Sequence, residues 1–565
     1  MLRPRLAHAA CAFLLFTSAA FGAGTFTVTN VNDAGAGSLR KALLDANAAG
    51  GGTVVFAIGS GPQTIQPQSP YPEMNYIVVD GTTQPGYAGK PLIEVDGSLA
   101  VTDIVGGLFN VNAGSIRGLV INNSTGGGVK ISAGDVRACY IGTNIDGTAA
   151  KPNKAGVRIN GPNVIVEDNL ISGNPIGVIV NFWGPALIDG NRFGTDANET
   201  KALSTTAIHV YVTDNFDPII VGGGWPNTFA GGSVGVYASY AKKVAVDQNY
   251  FGVTASGRRL PIQTAVHIYQ SSDCSVTGSH IKGNSYGILI DGSSLRNKIL
   301  GNSIDDNDVG IELSDYPYDG PTPNDDGDGD TGPNNYVNYP VLTRVTSLGG
   351  TTTVTGSLNS AANRTYRVEL FASPSCAASG FGQGRQLVKA LNVTTGPDGN
   401  ATIAQTFAGT LNAGDVMTAT ATSDLEGTSE FSRCRIIEGN GVFSFEHATQ
   451  SVSESSAIEL TVRRNRGAAG PATVHFATSD GTAKAGSDYT SASGILSFAD
   501  GETSKTIPIT LNNDALWEGS QTFQITLSEA TGAVLGTPQT VTVTIDDDEN
   551  APVAAVQTTS VFEGN

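Results

Sequence analysis

Acidic residues are the first candidates for chemistry in this chain. Asp546, Asp547, Asp548 and Glu549 follow one another where the alternating stretch VTVTI (541–545) ends. Carboxylates at that density repel each other, so the run is either a solvated junction or one wall of a cation site. A second acidic stretch, NDDGDGDTGPNN (324–335), sets Asp326, Asp328 and Asp330 on alternate positions. Alternating aspartates can wrap a calcium ion, although counted from Asp326 the EF-hand pattern fails: Thr331 rather than glycine is sixth and Val337 rather than glutamate is twelfth. These three are weaker candidates. A third set, Lys130, Arg158, His209, Tyr237 and His267, falls on one position of a repeated strand. It forms an outward stripe, either simply solvated or able to hold an anionic glycan. His209 and His267 lie two turns apart, roughly 10 Å, too far to share a metal.

The elements that position these residues follow from length, charge and pattern. At 565 residues the chain is too long for one core and suggests three or four domains. Its net charge of -19 argues against a nucleic-acid partner, which attracts basic surfaces. Arg3 and Arg5 precede an apolar run from about Ala9 to Ala20, with small residues after it, so residues 1–23 read as an export signal. No later segment is apolar enough for a transmembrane span. Cys11 leaves with the signal. Cys376 and Cys434 fall within one later domain and can bridge in an oxidising compartment. Cys139 and Cys274 lie many repeats apart and read as unpaired.

From about 100 to 315 the sequence repeats a small residue followed by apolar–variable–apolar, as in Gly128-Val129-Lys130-Ile131 and Gly235-Val236-Tyr237-Ala238. Successive copies begin at 128, 156, 177, 207, 235, 265, 287 and 310, a basic turn of about 22 residues with a loop added in some turns. Short strands at that period mean a solenoid whose coils bury their apolar faces only by stacking. Asn169, Asn191, Asn249 and Asn302 share one position and predict a hydrogen-bonded amide ladder. Cys139 takes the same position and reads as a buried thiol. The loops 141–153, 193–204 and 251–262 match one another and should leave from one side. In GSLRKALLDANAAGGG (37–52), Ser38 as N-cap and an apolar face of Leu39, Ala42, Leu43 and Ala46 predict a helix that closes the open end.

This region, 24–340, resembles exported bacterial proteins with right-handed parallel β-helix repeats, related in fold to pectate lyases. The resemblance rests on TFTVTNVNDAGAGSLRKALLDANA, VDGTTQPGY (79–87), the IGT-type loops and GNSIDDNDVGIEL (301–313). It implies a fold and does not dictate an activity. Paired aspartates with a Gly-His-Gly, as in galacturonan hydrolases, do not occur, and no catalytic residue is assigned.

Residues 341–437 and 438–549 read as all-β units with turn residues between short strands, the first a sandwich spacer. The second resembles the Calx-beta domain, an immunoglobulin-like sandwich of sodium–calcium exchangers and many bacterial surface proteins. The residues that carry the likeness are SVSE (451–454), SDGTAKAGSDY (479–489), ILSFADGE (495–502), NNDALWEGSQTF (512–523) and TVTIDDDE (542–549). The resemblance implies Ca2+ ligands at Glu454, Asp488, Asp514, the Leu516 carbonyl, Glu518, Asp546, Asp547 and Asp548. Asn513 and Gln521 stand where strong binders carry acids, which implies a weaker or less occupied site. TTSVFEGN (558–565) repeats TQSVSESS (449–456), so 550–565 reads as the start of a second such unit.

The expected protein is all-β: a capped right-handed parallel β-helix followed by immunoglobulin-like β-sandwich domains. It is expected to be exported, secreted or on the cell surface, to bind Ca2+, and to present the β-helix to an extracellular glycan or protein in adhesion. The alternative is a secreted polysaccharide-degrading lyase or hydrolase working on that face.

Overall fold

A computed structural model describes residues 24–103, 105–203, 208–314, 320–348, 350–409, 411–553, 555 and 557. The export signal at 1–23, Ala207 of the repeat and the repeated segment 558–565 lie outside them. The chain divides into two compact units. One contains residues up to Leu342 with 357–403 and 418–434; the other contains 343–356, 404–417 and the chain from Arg435.

The first unit is a parallel β-helix. One face stacks Gly127–Ile131, Ala155–Ile159, Ile176–Val180, Ile208–Thr213, Val234–Ser239, Thr264–Tyr269, Tyr286–Asp291 and Val309–Leu313, each parallel to the next. A second face runs from Gly134–Arg137 through Val164–Glu167, Ala186–Asp189 and Ile219–Gly222 to Lys298–Leu300. A third holds ten short strands in chain order from Gln63–Ile65 to Ser303–Asp305. Alternation along each strand turns one set of side chains inward, so Val157, Val178, Val210, Val236 and Val266 stack in a buried column. Phe193, Phe229 and Phe251 form a second column with ring centroids 4.9 and 4.5 Å apart and nearly parallel planes.

The amide ladder runs Asn169, Asn191, Asn227, Asn249, Ser279, Asn302, each side-chain oxygen accepting the backbone N–H of the preceding turn at 2.8–3.2 Å. Asn227 was not anticipated, because the longer turn before it breaks the spacing, and Ser279 interrupts the run of amides. Cys139 heads the ladder, its N–H donating to Asn169 Oδ1 at 3.0 Å. Cys274 heads another that passes through Asn297 and Asn334. Both thiols are free and buried, and burial pushes each up to about 12.

Both ends of the stack are closed. Ser38 Oγ accepts from Lys41 N at 3.2 Å, and helix Leu39–Ala48 buries Leu39, Ala42, Leu43 and Ala46. The far end departs from the expected division at 340, because 357–403 and 418–434 fold into the same unit as the solenoid. Phe371 and Phe431 belong to the solenoid's own core. Polar groups from these segments also take up the amides that the last turns leave unpaired. Gln383 Oε1 accepts from Asn307 N at 3.1 Å, Glu430 Oε1 from Leu313 N at 3.1 Å, and Glu369 Oε2 from Gly301 N at 2.8 Å. An exposed last strand would otherwise offer a template for pairing. The segment 341–437 is therefore not a free-standing spacer. Cys376 and Cys434 within it are disulfide-bonded.

In the second unit a five-stranded sheet orders Thr449–Ser453, Thr540–Asp546, Gln521–Thr531, Ala472–Asp480 and Ser493–Phe498. It faces a four-stranded sheet of Ser504–Ile509, Ile458–Asn465, Val442–Phe445 and Val534–Leu535. Val541, Val543 and Ile545 point into the core with Phe443, Leu460, Val474 and Phe523. The buried Arg464 guanidinium is satisfied by the carbonyls of Asn440 and Ala469, both at 2.9 Å.

Candidate metal centre

The acidic run lies where three segments of the second unit meet. Thr449–Ser453 pairs in parallel with Thr540–Asp546, aligning Ser453 with Asp546, and Glu454 N donates to Asp546 O at 3.1 Å. This brings Glu454 to the run from about ninety residues earlier. The next strand, Gln521–Thr531, pairs antiparallel on the other side, with Gln521 opposite Ile545. Its preceding loop donates the backbone N–H groups of Glu518 and Gly519 to Asp547 Oδ2, and Glu549 N donates to Asp547 Oδ1 at 2.9 Å.

Among the described residues, Glu454, Asp547 and Glu549 form the group whose carboxylate oxygens all lie within 4.8 Å of one another. No donor reaches Glu454 Oε1, Glu549 Oε2 or Gln521 Oε1, although all three atoms are buried. Burial, then the facing Glu549 and the charge of Asp548, push the Glu454 carboxyl up to about 7; Glu549 is also raised, first by burial. Burial acts the same way on Asp547, but the N–H groups of Glu518, Glu549 and Gly519 outweigh it and hold that carboxyl below its ordinary value. The result is one carboxylate fixed by amides and two that compete for a proton.

The remaining expected ligands are engaged elsewhere. Asp488 Oδ2 accepts from Lys484 N at 2.6 Å and Asp514 Oδ1 from Leu516 N at 2.7 Å, each inside its own loop. Asp546 Oδ1 accepts from Ser520 Oγ at 3.0 Å, and Glu518 Oε2 from Gln521 Nε2 at 2.9 Å. Leu516 is exposed. Asp548 acts on Glu454 and Glu549 through its charge. Glu549 was not among the expected ligands. Its signal was present in the run itself, because alternate residues of an extended chain share a side and Asp547 and Glu549 are two apart.

The set consists of oxygen donors alone, as a hard divalent cation requires, and three buried oxygens without donors are what such an ion would satisfy. The residues present fit Ca2+, held by Glu454, Asp547 and Glu549 with the Gln521 amide oxygen beside them. Asp326, Asp328 and Asp330 do not make a comparable group. Asp328 Oδ2 accepts from Ser360 Oγ at 2.6 Å and Asp326 Oδ1 from Asn359 Nδ2 at 3.2 Å, contacts that pin a turn.

Residues 438–549 match the family described as Calx-beta domain, and residues 196–317 match the right handed beta helix region. The chain is a β-helix protein with a Calx-beta domain. Sodium/calcium exchanger 1 of Bos taurus is 35% identical over 129 residues, covering 19% of this chain and 13% of that protein. The chain thus spans a small part of the curated relatives that it matches. Among solved structures, the calcium binding domain CBD12 of CALX1.1 is 33% identical with a TM-score of 0.19, covering 19% of this chain and 45% of that one. The A-module of the Azotobacter vinelandii mannuronan C-5 epimerase AlgE6 is 14% identical with a TM-score of 0.32, covering 50% and 76%.

The stripe on the β-helix, outside the Calx-beta domain, needs one correction. Val178 pairs with Val210 and Ile179 with Tyr211, so the outward residue on that turn is Tyr211 and not His209. His209 takes the position that is Gly177 on one neighbouring turn and Gly235 on the other. There it is buried between Phe193 and Phe229, its Nε2–H donating to Gly231 O at 2.7 Å. Burial pushes it down to about 4, so it is neutral. The register slipped because a histidine replaced the small residue used to align the repeats. Lys130, Arg158, Tyr237 and His267 do face outward in register, and Tyr211, Tyr237 and His267 stack at 5.4 and 4.6 Å.

Proposed function

We propose that this chain is an exported, modular surface protein of adhesion type, whose Calx-beta domain binds Ca2+ and whose β-helix presents a face to an extracellular glycan or protein. One observation carries the calcium reading. Glu454 Oε1 and Glu549 Oε2 are buried without a donor, and both residues stand with Asp547 in a group whose ligand oxygens lie within 4.8 Å. A divalent ion offsets the repulsion among these acids and ties the start of the domain to its end, stiffening a modular chain. The match of 438–549 to the Calx-beta domain and the likeness to sodium/calcium exchangers support this reading. Export is supported by the basic and apolar pattern of the first residues and by the Cys376–Cys434 bridge, which suits an oxidising compartment.

Titration calorimetry of the full chain with CaCl2 tests the site. Heat of binding is expected for the native protein, with MgCl2 a poor substitute because Mg2+ demands tighter octahedral geometry. The Asp547→Asn, Glu549→Gln double variant should lose it. No heat from the native chain at millimolar calcium overturns the reading.

A further inference from the structure

The outer side of the third strand ladder carries more than a solvated surface. Phe193, Phe229, Phe251, Ile281 and Ile304 point inward there. Alternation therefore turns their neighbours Arg192, Thr228, Tyr250, His280 and Ser303 away from the core. Those five are in register on consecutive turns, a row about 19 Å long at the strand-to-strand spacing. Two concavities lie over the row and meet at Tyr250 and Ala255, one of about 520 Å³ and the other of about 400 Å³. The Trp225 side chain, 68% exposed, walls the first. Its loop is held in place, because both Asp189 carboxylate oxygens accept from Trp225 N at 2.9 Å. Tyr250 and His280 stack at 5.1 Å with planes 11° apart, which holds the Tyr250 ring in place.

The chemistry of the groove selects its occupant. The ladder strands beneath it pair on both sides as far as His280–Lys282, and the last, Ser303–Asp305, gives Ile304 N to Gly384 O at 2.8 Å, so a peptide finds no open backbone edge to extend. Recognition must come from aromatic planes and polar side chains. In the first concavity, which Trp225 walls, Glu167 is paired with Arg137 at 2.5 Å and Asp168 and Glu199 outnumber Arg192; in the second, Lys282 is paired with Asp305 at 2.9 Å and Arg385 adds a cation. Free acids and cations along the groove nearly balance, so an anionic polymer gains no electrostatic hold, whereas sugar hydroxyls can donate to carboxylates while the apolar faces of the rings cover Trp225 and Tyr250. We infer that this groove binds an extended neutral oligosaccharide. The inference rests on the reading of the β-helix as a binding module and names its face and ligand class.

The test uses the full-length protein with six probes: cellohexaose, xylohexaose, mannohexaose, chitohexaose, hexagalacturonate and hexamannuronate. Tryptophan fluorescence and titration calorimetry report binding. At least one neutral probe should bind and perturb Trp225, while both uronates bind more weakly. Trp225→Ala and Tyr250→Ala should each weaken binding about tenfold, the loss of one aromatic anchor. Trp225→Phe should restore part of it, and Trp183→Ala should leave it unchanged. Uronates binding more tightly than every neutral probe overturn the proposal. Neutral binding that survives Trp225→Ala and Tyr250→Ala but is lost in Tyr237→Ala also overturns the groove, while leaving the β-helix as a binding module. Binding to none of the six overturns the groove and removes the glycan from the module reading.

Discussion

Replacing Glu454 with glutamine should move the stability of the second unit in opposite directions with and without calcium. In the calcium-free protein the Glu454 carboxyl sits at about 7, raised first by burial and then by Glu549 and the neighbouring aspartates. Between the ordinary glutamate value and that value the folded state holds a proton that the unfolded chain has lost. Stability of the native unit in chelator should therefore fall as pH rises from about 5 to about 8. Glutamine removes the charge and puts an N–H donor where Glu549 Oε2 has none. The variant should be more stable than the native chain in chelator at pH 8, and its pH slope should flatten. Calcium reverses the ranking, because the variant has lost a carboxylate ligand. At a hundredfold excess over the dissociation constant, binding to the folded state alone contributes about 2.7 kcal/mol. For a unit of this size that is a rise in melting temperature on the order of 10 °C, most of which the variant should lose. Differential scanning calorimetry of the full chain at pH 5, 6.5 and 8, in chelator and in millimolar CaCl2, separates these terms. A Glu454→Gln protein that is less stable in chelator at pH 8, or that keeps the whole calcium increment, would refute the argument.

Four further outcomes follow from the first unit. Replacing Cys376 and Cys434 with alanine opens a link across 58 residues and should cost about 4 kcal/mol in the chain-entropy model, measured by urea unfolding; Cys139 and Cys274 should resist iodoacetamide until the chain is denatured. Asn191→Leu removes an oxygen that accepts from Asn169 N and a donor to Val166 O, so two buried groups are orphaned and roughly 2–6 kcal/mol should be lost. Residues 24–340 expressed alone should aggregate, read by light scattering, because the amides of Gly301, Asn307 and Leu313 lose the acceptors supplied by Glu369, Gln383 and Glu430.

What the sequence determines by itself is the local pattern. An inward valine every turn, an asparagine at a recurring corner and a serine-capped amphipathic helix are written in residues close together, and their spacing specifies a capped solenoid wherever it folds. The acids of 546–549 are legible in the same way, as is the alternation that aims Val541, Val543 and Ile545 inward. Tertiary structure decided which distant residues converge. Glu454 reaches Asp547 and Glu549 because two strands far apart in the chain pair in parallel, while the carboxylates of Asp488 and Asp514 spend their oxygens on their own loops. His209 faces the core because one turn is offset against its neighbours, a register that Val178 and Tyr211 reveal only when paired. The closing of the solenoid by 357–403 and 418–434 was likewise invisible, since the need for a lid arises only once the last strand exists with one side unpaired. Periodicity is a property of neighbours along the chain, whereas a binding site and a lid are properties of neighbours in space.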